Sequence, residues 1–232
     1  MKNTLENHGK THEIIAIDGP AGSGKSTTAR LVAQKLGFTY LDTGALYRAV
    51  THVAMLKGVD LANEQALDAL IEICDFKLSA EGDLTRVWAD SSEITEAIRS
   101  REVTSNVSLV SKHAKVRQAM VRLQRAIASQ GFFVVEGRDI GTVVFPNAAL
   151  KIYLVATVEA RTERRMLELQ QKGVAVEFEK LREEIIIRDK KDSERAIAPL
   201  KKAEDAIELD TTRLTIDQQV ETIVRKYKEI RS

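Results

Sequence analysis

Five short apolar runs closed by turn residues punctuate the chain: Ile14 to Asp18, Phe38 to Leu41, Phe132 to Glu136, Lys151 to Ala156 and Ala206 to Asp210. Their length and composition predict strands. Between them the apolar spacing changes to a helical period. It predicts helices over Lys25 to Leu36, Ala45 to Lys57, Glu64 to Ile73, Ala114 to Ser129, Val158 to Lys172, Phe178 to Arg188 and Ile216 to Ile230. Gly37 and Gly58 stand where the first two should stop, Asn63 is placed to cap the third, and Thr215 with Gln218 has capping-box spacing for the last. Strands alternating with helices of this length predict an α/β fold: a five-stranded, mostly parallel sheet with helices on both faces. Between Phe76 and Thr95 the period shortens to two around Glu81-Gly82-Asp83, which predicts a small antiparallel hairpin or three-strand patch inserted into the α/β core. Trp88 is expected to pin it down. Alternation reports burial alone, so a bland surface excursion and a substrate-contacting element both fit.

The turn after the first run changes the picture from fold to chemistry. Gly19-Pro20-Ala21-Gly22-Ser23-Gly24-Lys25-Ser26 matches G-x-x-x-x-G-K-[ST], between a strand and a helix that begins with Lys25, Ser26 and Thr27. Glycines let several backbone amides face one anion, and the helix N-terminus adds partial positive charge. Lys25 supplies a mobile cation, and Ser26 is placed to ligate the Mg²⁺ that accompanies a nucleoside triphosphate. The segment therefore predicts binding of a nucleoside triphosphate through residues Gly19 to Thr27.

Binding a triphosphate does not name a reaction. No asparagine is followed by lysine and no aspartate has glycine three positions on, which removes the guanine-nucleotide switches; no two glycines are adjacent, which removes transporter-type ATPases. The strand ends carry the remaining clues. Tyr47 and Arg48 lie one turn into the helix after the second strand, and Arg138 and Asp139 follow the third, so all four should face the phosphate loop across the carboxyl edge of the sheet. Arg138 can fork a phosphate, and Asp139 can accept from a ligand amine or help place magnesium through water. From Arg161 to Lys202 there are 12 lysines and arginines against 9 acidic residues. The run Arg188-Asp189-Lys190-Lys191-Asp192-Ser193-Glu194-Arg195 suits a mobile lid that delivers guanidinium groups, though a solvated helix reads similarly.

Bulk properties set limits around this site. The chain has 232 residues, 44% of them apolar, enough for one α/β domain with insertions. Its 35 basic and 34 acidic residues leave a charge of +1, so neither nucleic-acid nor membrane attraction is expected. Cys74 is the single cysteine and there is no signal-like or membrane-length apolar run, which fits a cytoplasmic protein. Residues 1–12 lack apolar periodicity and read as a flexible extension before one domain, 13–232.

Taken together, IDGPAGSGKST, LDTGALYRA, VEGRDIGTVVFP, KIYLVA, RRMLELQQKG, IIIRDKKDSERAIAPL and ELDTT resemble the bacterial cytidylate kinases, nucleoside monophosphate kinases of the P-loop class. The resemblance covers nearly everything after residue 13. It implies an acceptor-binding region at about 42–112 enlarged by an insert at about 74–96, and a closing lid at about 168–198. By position it places the CMP site on Thr43, Tyr47, Arg48, Ser108, Arg117, Arg138, Asp139, Arg188, Asp192 and Arg195. Thr43 stands where some members have serine. Within that set Arg48 and Arg138 would hold the acceptor phosphate. Ser108, Arg117 and Asp139 would read cytosine, and Arg188 with Asp192 would meet the pentose. Lys25, Arg138 and Arg188 would carry catalysis with Mg²⁺, on ATP and CMP or dCMP, in a monomer. Another small-molecule P-loop kinase, or a non-catalytic nucleotide-binding regulator, remains an alternative from the residues alone.

Overall fold

The computed structural model describes residues 12–81, 84–171 and 173–232. The expected extension up to residue 11, and Gly82 and Asp83 of the insert, lie outside the described residues. In chain order the strands are β1 (His12–Asp18), β2 (Thr39–Asp42), β3 (Phe76–Glu81), β4 (Leu84–Ala89), β5 (Ser92–Glu93), β6 (Gly131–Gly137), β7 (Leu150–Val155) and β8 (Ile207–Asp210). The helices are α1 (Lys25–Leu36), α2 (Thr43–Leu56), α3 (Glu64–Ile73), α4 (Arg101–Val110), α5 (Ala114–Ile127), α6 (Val158–Gln171), α7 (Phe178–Ser193) and α8 (Ile216–Glu229). His12, assigned above to the extension, belongs instead to β1, where its backbone pairs with Gly131.

Five strands form one sheet in the order β2-β6-β1-β7-β8, with every pairing parallel. β1 lies at its centre and is buried on both faces, which is why its sequence is continuously apolar rather than alternating. Ile15 and Ile17 pack against Val32 and Ala33 of α1 and Val220, Ile223 and Val224 of α8. Ile14 and Ala16 point the other way, toward Leu41, Val135, Ile140 and Val144. The C-terminal helix starts where its capping box predicts: Thr215 accepts from the amide of Gln218, whose side chain returns the bond.

β3, β4 and β5 make a separate antiparallel sheet, the three-strand form of the expected insert. Its anchor is not Trp88. Strand parity turns Thr85, Val87 and Ala89 inward, and Val87 joins Leu46, Val50, Leu67 and Met120 in a second core, leaving Trp88 only partly buried on the opposite face. A small third core of Leu169, Leu181 and Ile185 holds α6 against α7.

Three helix boundaries differ from the periodicity. α2 begins at Thr43, because the Asp42 side chain accepts from the Ala45 amide and caps the helix two residues early. α7 continues past Arg188 to Ser193, so Arg188 and Asp192 share one helix while Arg195 lies beyond it. α4 was not expected at all; Ser100 caps it and Val103, Val107 and Val110 bury its inner face. No helix among the described residues is long and apolar enough to cross a membrane.

Candidate active site

The loop after β1 is shaped by one close approach. Gly19 has φ +152, and a Cβ there would overlap the carbonyl oxygen of Leu154 on the neighbouring strand. The chain then turns and enters α1 at Gly24, an N-cap with no side-chain hydrogen bond, so no side chain caps the helix's leading end. Lys25 is buried, and its Nζ donates to the Pro20 carbonyl at 2.6 Å and to Ser23 Oγ at 3.4 Å. Burial first, then repulsion from Arg138 and Arg188, hold its ammonium pKa well below the ordinary value. Ser26 and Thr27 follow on the exposed first turn of α1. Arg161, buried at the start of α6, donates to the Ala21 carbonyl at 3.1 Å and pairs with Asp189 of α7 at 2.5 Å, tying this loop to the last helix pair.

Opposite stands a cluster of arginines raised on α2, at the end of β6, and on α5 and α7. Arg48 donates to Asp42 at 2.6 Å. Thr43 is buried and its Oγ1 donates to the carbonyl of Glu136 at 2.7 Å. Arg138 Nε donates to Asp192 Oδ2 at 2.9 Å, and Ser108 Oγ lies 3.4 Å from the other Asp192 oxygen. Against the desolvation that burial imposes, Arg138 and Arg188 keep the Asp192 carboxyl below its usual range. The Nε of Arg188, on α7, is buried without a hydrogen-bond partner among the described residues. Burial, then the charge of Arg138, bring its pKa down to about 10. Asp42 and Asp192 offset part of the positive charge that these arginines concentrate here.

A third group lies deeper. Arg117 and Asp139 form a hydrogen-bonded ion pair, with side chains only 4% and 7% exposed. Arg195 Nη2 stands 3.6 Å from the second Asp139 oxygen, and its Nε donates to the Ala198 carbonyl at 2.6 Å. The guanidinium of Arg117 sits 5.4 Å from the centroid of the Tyr47 ring. Burial pushes the Tyr47 phenol up to about 12, so it stays a neutral donor.

The family model described as "Cytidylate kinase" matches residues 15–229. The chain belongs to the cytidylate kinase family. Within that family it is 52% identical over 213 residues to a cytidylate kinase of Bacillus licheniformis, covering 91% of this chain and 94% of the relative. It is 50% identical over 215 residues to that of Shouchella clausii, at 93% and 96% coverage. The Bacillus subtilis cytidylate kinase is 47% identical over 215 residues, with the same coverage of both chains.

In this cytidylate kinase family chain the structure brings the residues singled out from the sequence to one edge of the sheet. Asp139 and Arg117 differ from the expectation in one respect: each has the other as its partner, because two opposite charges buried this deeply must be paired. Sequence reasoning missed the acids that balance the arginines, Asp42 and Asp189, and the buried Glu136. It also missed Arg161. Glu136 ends β6 beside the phosphate loop, accepts from the Tyr40 hydroxyl and is reached by the Ser26 hydroxyl. Desolvation and then the neighbouring Asp42 raise its pKa. The available signal was an acid at a strand's carboxyl end next to that of the phosphate loop.

Proposed function

We propose that this chain transfers the γ-phosphoryl group of ATP to CMP or dCMP, giving ADP and CDP or dCDP. One observation carries the reading: the glycine loop with Lys25 and the arginines Arg48, Arg138 and Arg188 line one cleft, close enough that Arg138 and Arg188 perturb Lys25. Residues Gly19 to Thr27 hold the triphosphate, and Arg48 and Arg138 hold the acceptor phosphate. An acceptor phosphate is already an anion, so no general base is required. Catalysis then rests on alignment and on cancelling charge around the transferring group, the work of Lys25, Arg138 and Arg188.

Mg²⁺ fits this site as the partner of ATP. The Ser26 hydroxyl and the Glu136 carboxylate beside it are hard oxygen donors, the kind of ligand this ion takes. The ion would neutralise charge on the phosphoryl oxygens when bound.

Cytosine offers an exocyclic amine donor and an unprotonated N3, whereas uracil offers a carbonyl and an N–H. Asp139 and Arg117 have the complementary chemistry, with Ser108 alongside and Tyr47 beneath Arg117. Arg188, Asp192 and Arg195 arrive from residues 168–198, which act as the lid, and residues 42–112 form the acceptor region with its insert. Both cradles come from one chain, which supports catalysis by a monomer. A coupled ADP-release assay across CMP, dCMP, UMP, AMP, dTMP and shikimate tests the reading. Turnover should favour CMP and dCMP. Preference for another acceptor reassigns the substrate, and ATP binding without turnover of any acceptor leaves a nucleotide-binding regulator.

A further inference from the structure

Asp18 is the last residue of β1, one position before the phosphate loop, and it is buried. Its carboxylate is committed to a different segment. Oδ1 accepts from the amide of Ile140 and Oδ2 from the amide of Gly141, both at 2.8 Å. Those amides open the wide helical turn Ile140–Val144, which directly follows Arg138 and Asp139. The far end of the same turn is also gripped: Arg125 of α5 donates to the carbonyls of Val144 and Val143, each at 2.8 Å. Beneath it lies the Lys151 side chain, whose Cδ would stand 3.1 Å from a Cβ on Gly141.

We propose that Asp18 is a positioning residue for the acceptor nucleotide, one that fixes Arg138 and Asp139 in space relative to the phosphate loop. The inference rests on the kinase reading above. Its logic is geometric. The peptide chain ties Asp18 to the donor side, and two charge-assisted hydrogen bonds tie it to the acceptor side, so one carboxylate sets the separation of the two cradles. Two converging amides require two acceptor oxygens. Asparagine supplies one and turns an N–H₂ group toward the other amide. Burial and the nearby Asp139 charge oppose a carboxylate here, yet the fold retains one.

The test uses the full chain carrying Asp18→Asn or Asp18→Ser, whose short hydroxyl cannot reach both amides. ATP affinity is measured by calorimetry without acceptor, CMP and UMP affinities by calorimetry without ATP, and KM and kcat in the coupled assay. Each variant should keep ATP affinity within about twofold, weaken CMP at least about tenfold and narrow the preference for CMP over UMP, since small misplacements of positioned groups are expensive. Equal losses of ATP and CMP affinity, or unchanged CMP affinity and preference, overturn the proposal. Should Asp18→Asn fail to fold, Asp18→Ser decides it. A wild-type chain that binds CMP without phosphorylating it refutes the kinase reading alone, because this inference is read from affinity.

Discussion

Arg138 and Asp192 are 54 residues apart in sequence, yet the arginine Nε donates to the aspartate at 2.9 Å. The bond joins the end of β6 to the last turn of α7, and so joins the sheet edge to the helix pair assigned to the lid. An arriving acceptor phosphate competes with Asp192 for the same guanidinium. Arg138→Ala should therefore raise the KM for CMP by about tenfold or more and lower kcat, while ATP affinity is kept. Arg138→Lys should recover only part of the loss, because a point charge cannot fork. Steady-state kinetics in both substrates check this, and an unchanged KM and rate would remove Arg138 from the site.

Lys25→Ala should cut turnover by at least about a hundredfold, the scale of losing one donor to a developing charge. Folding should survive, since the Lys25 ammonium donates within its own loop, to Pro20 and Ser23, and burial already disfavours its charge. Circular dichroism together with the coupled assay separates the two effects. Near-normal turnover would take the phosphate loop out of the mechanism.

Asp139→Asn keeps the shape of its pair with Arg117 and discards the charge. Preference for CMP over UMP should narrow by roughly ten- to a hundredfold, the worth of about 1–3 kcal/mol for a polar group left mismatched. Asp139→Ala should in addition destabilise the fold by about 3–5 kcal/mol, since it strands a buried guanidinium. Competition kinetics with the two nucleotides and urea unfolding measure these separately, and full discrimination in Asp139→Asn would count against the base-reading role.

Asp18 gives a pH dependence of defined sign. Burial lifts its pKa from an ordinary 3.8 to about 6 in the folded chain. Between those values the folded state binds the proton more tightly than the unfolded state, so the Asp18 contribution to stability falls as pH rises from about 4 to about 6 and is constant above. At about 1.4 kcal/mol per pH unit this amounts to about 3 kcal/mol. The stability of Asp18→Asn relative to wild type should accordingly improve across that interval. Denaturant midpoints at pH 4.5 and pH 7.5 measure it, and a difference that moves the other way would contradict the assignment.

Tyr227→Phe serves as a control far from the chemistry. The Tyr227 hydroxyl donates to the buried Glu13 at 2.8 Å, at the opposite end of β1 from the phosphate loop. Losing it should cost about 1–2 kcal/mol, a fall of roughly 2–6 °C in Tm, with kcat and both KM values unchanged. A kinetic effect would mean that strain at this end of the strand reaches the site.

The sheet was legible because its strands are apolar runs bounded by turns, and the phosphate loop because its fixed residues are adjacent. α4 was hidden by Thr104, Ser105, Asn106 and Ser108, poor helix formers that obscure the Val103, Val107 and Val110 spacing, although Ser100 was a visible cap. The early start of α2 follows from a single bond, Asp42 to the Ala45 amide, that periodicity does not register. Long-range pairs were the least accessible part. Arg117 with Asp139, Arg138 with Asp192 and Arg161 with Asp189 meet only after the sheet has set its order, so their individual residues could be picked out while their partners could not.

The strand order has a consequence for synthesis on the ribosome. β1 and β2 emerge first, yet they are not neighbours; β6, made roughly ninety residues after β2, must enter between them. Until then β1 has no partner on either edge, while the Leu46, Leu67, Val87 and Met120 core can already assemble from chain made in the interval. The nascent protein is thus expected to mature from its middle outward, and the phosphate loop, though translated before β6, would be among the last parts of this fold to take its working shape.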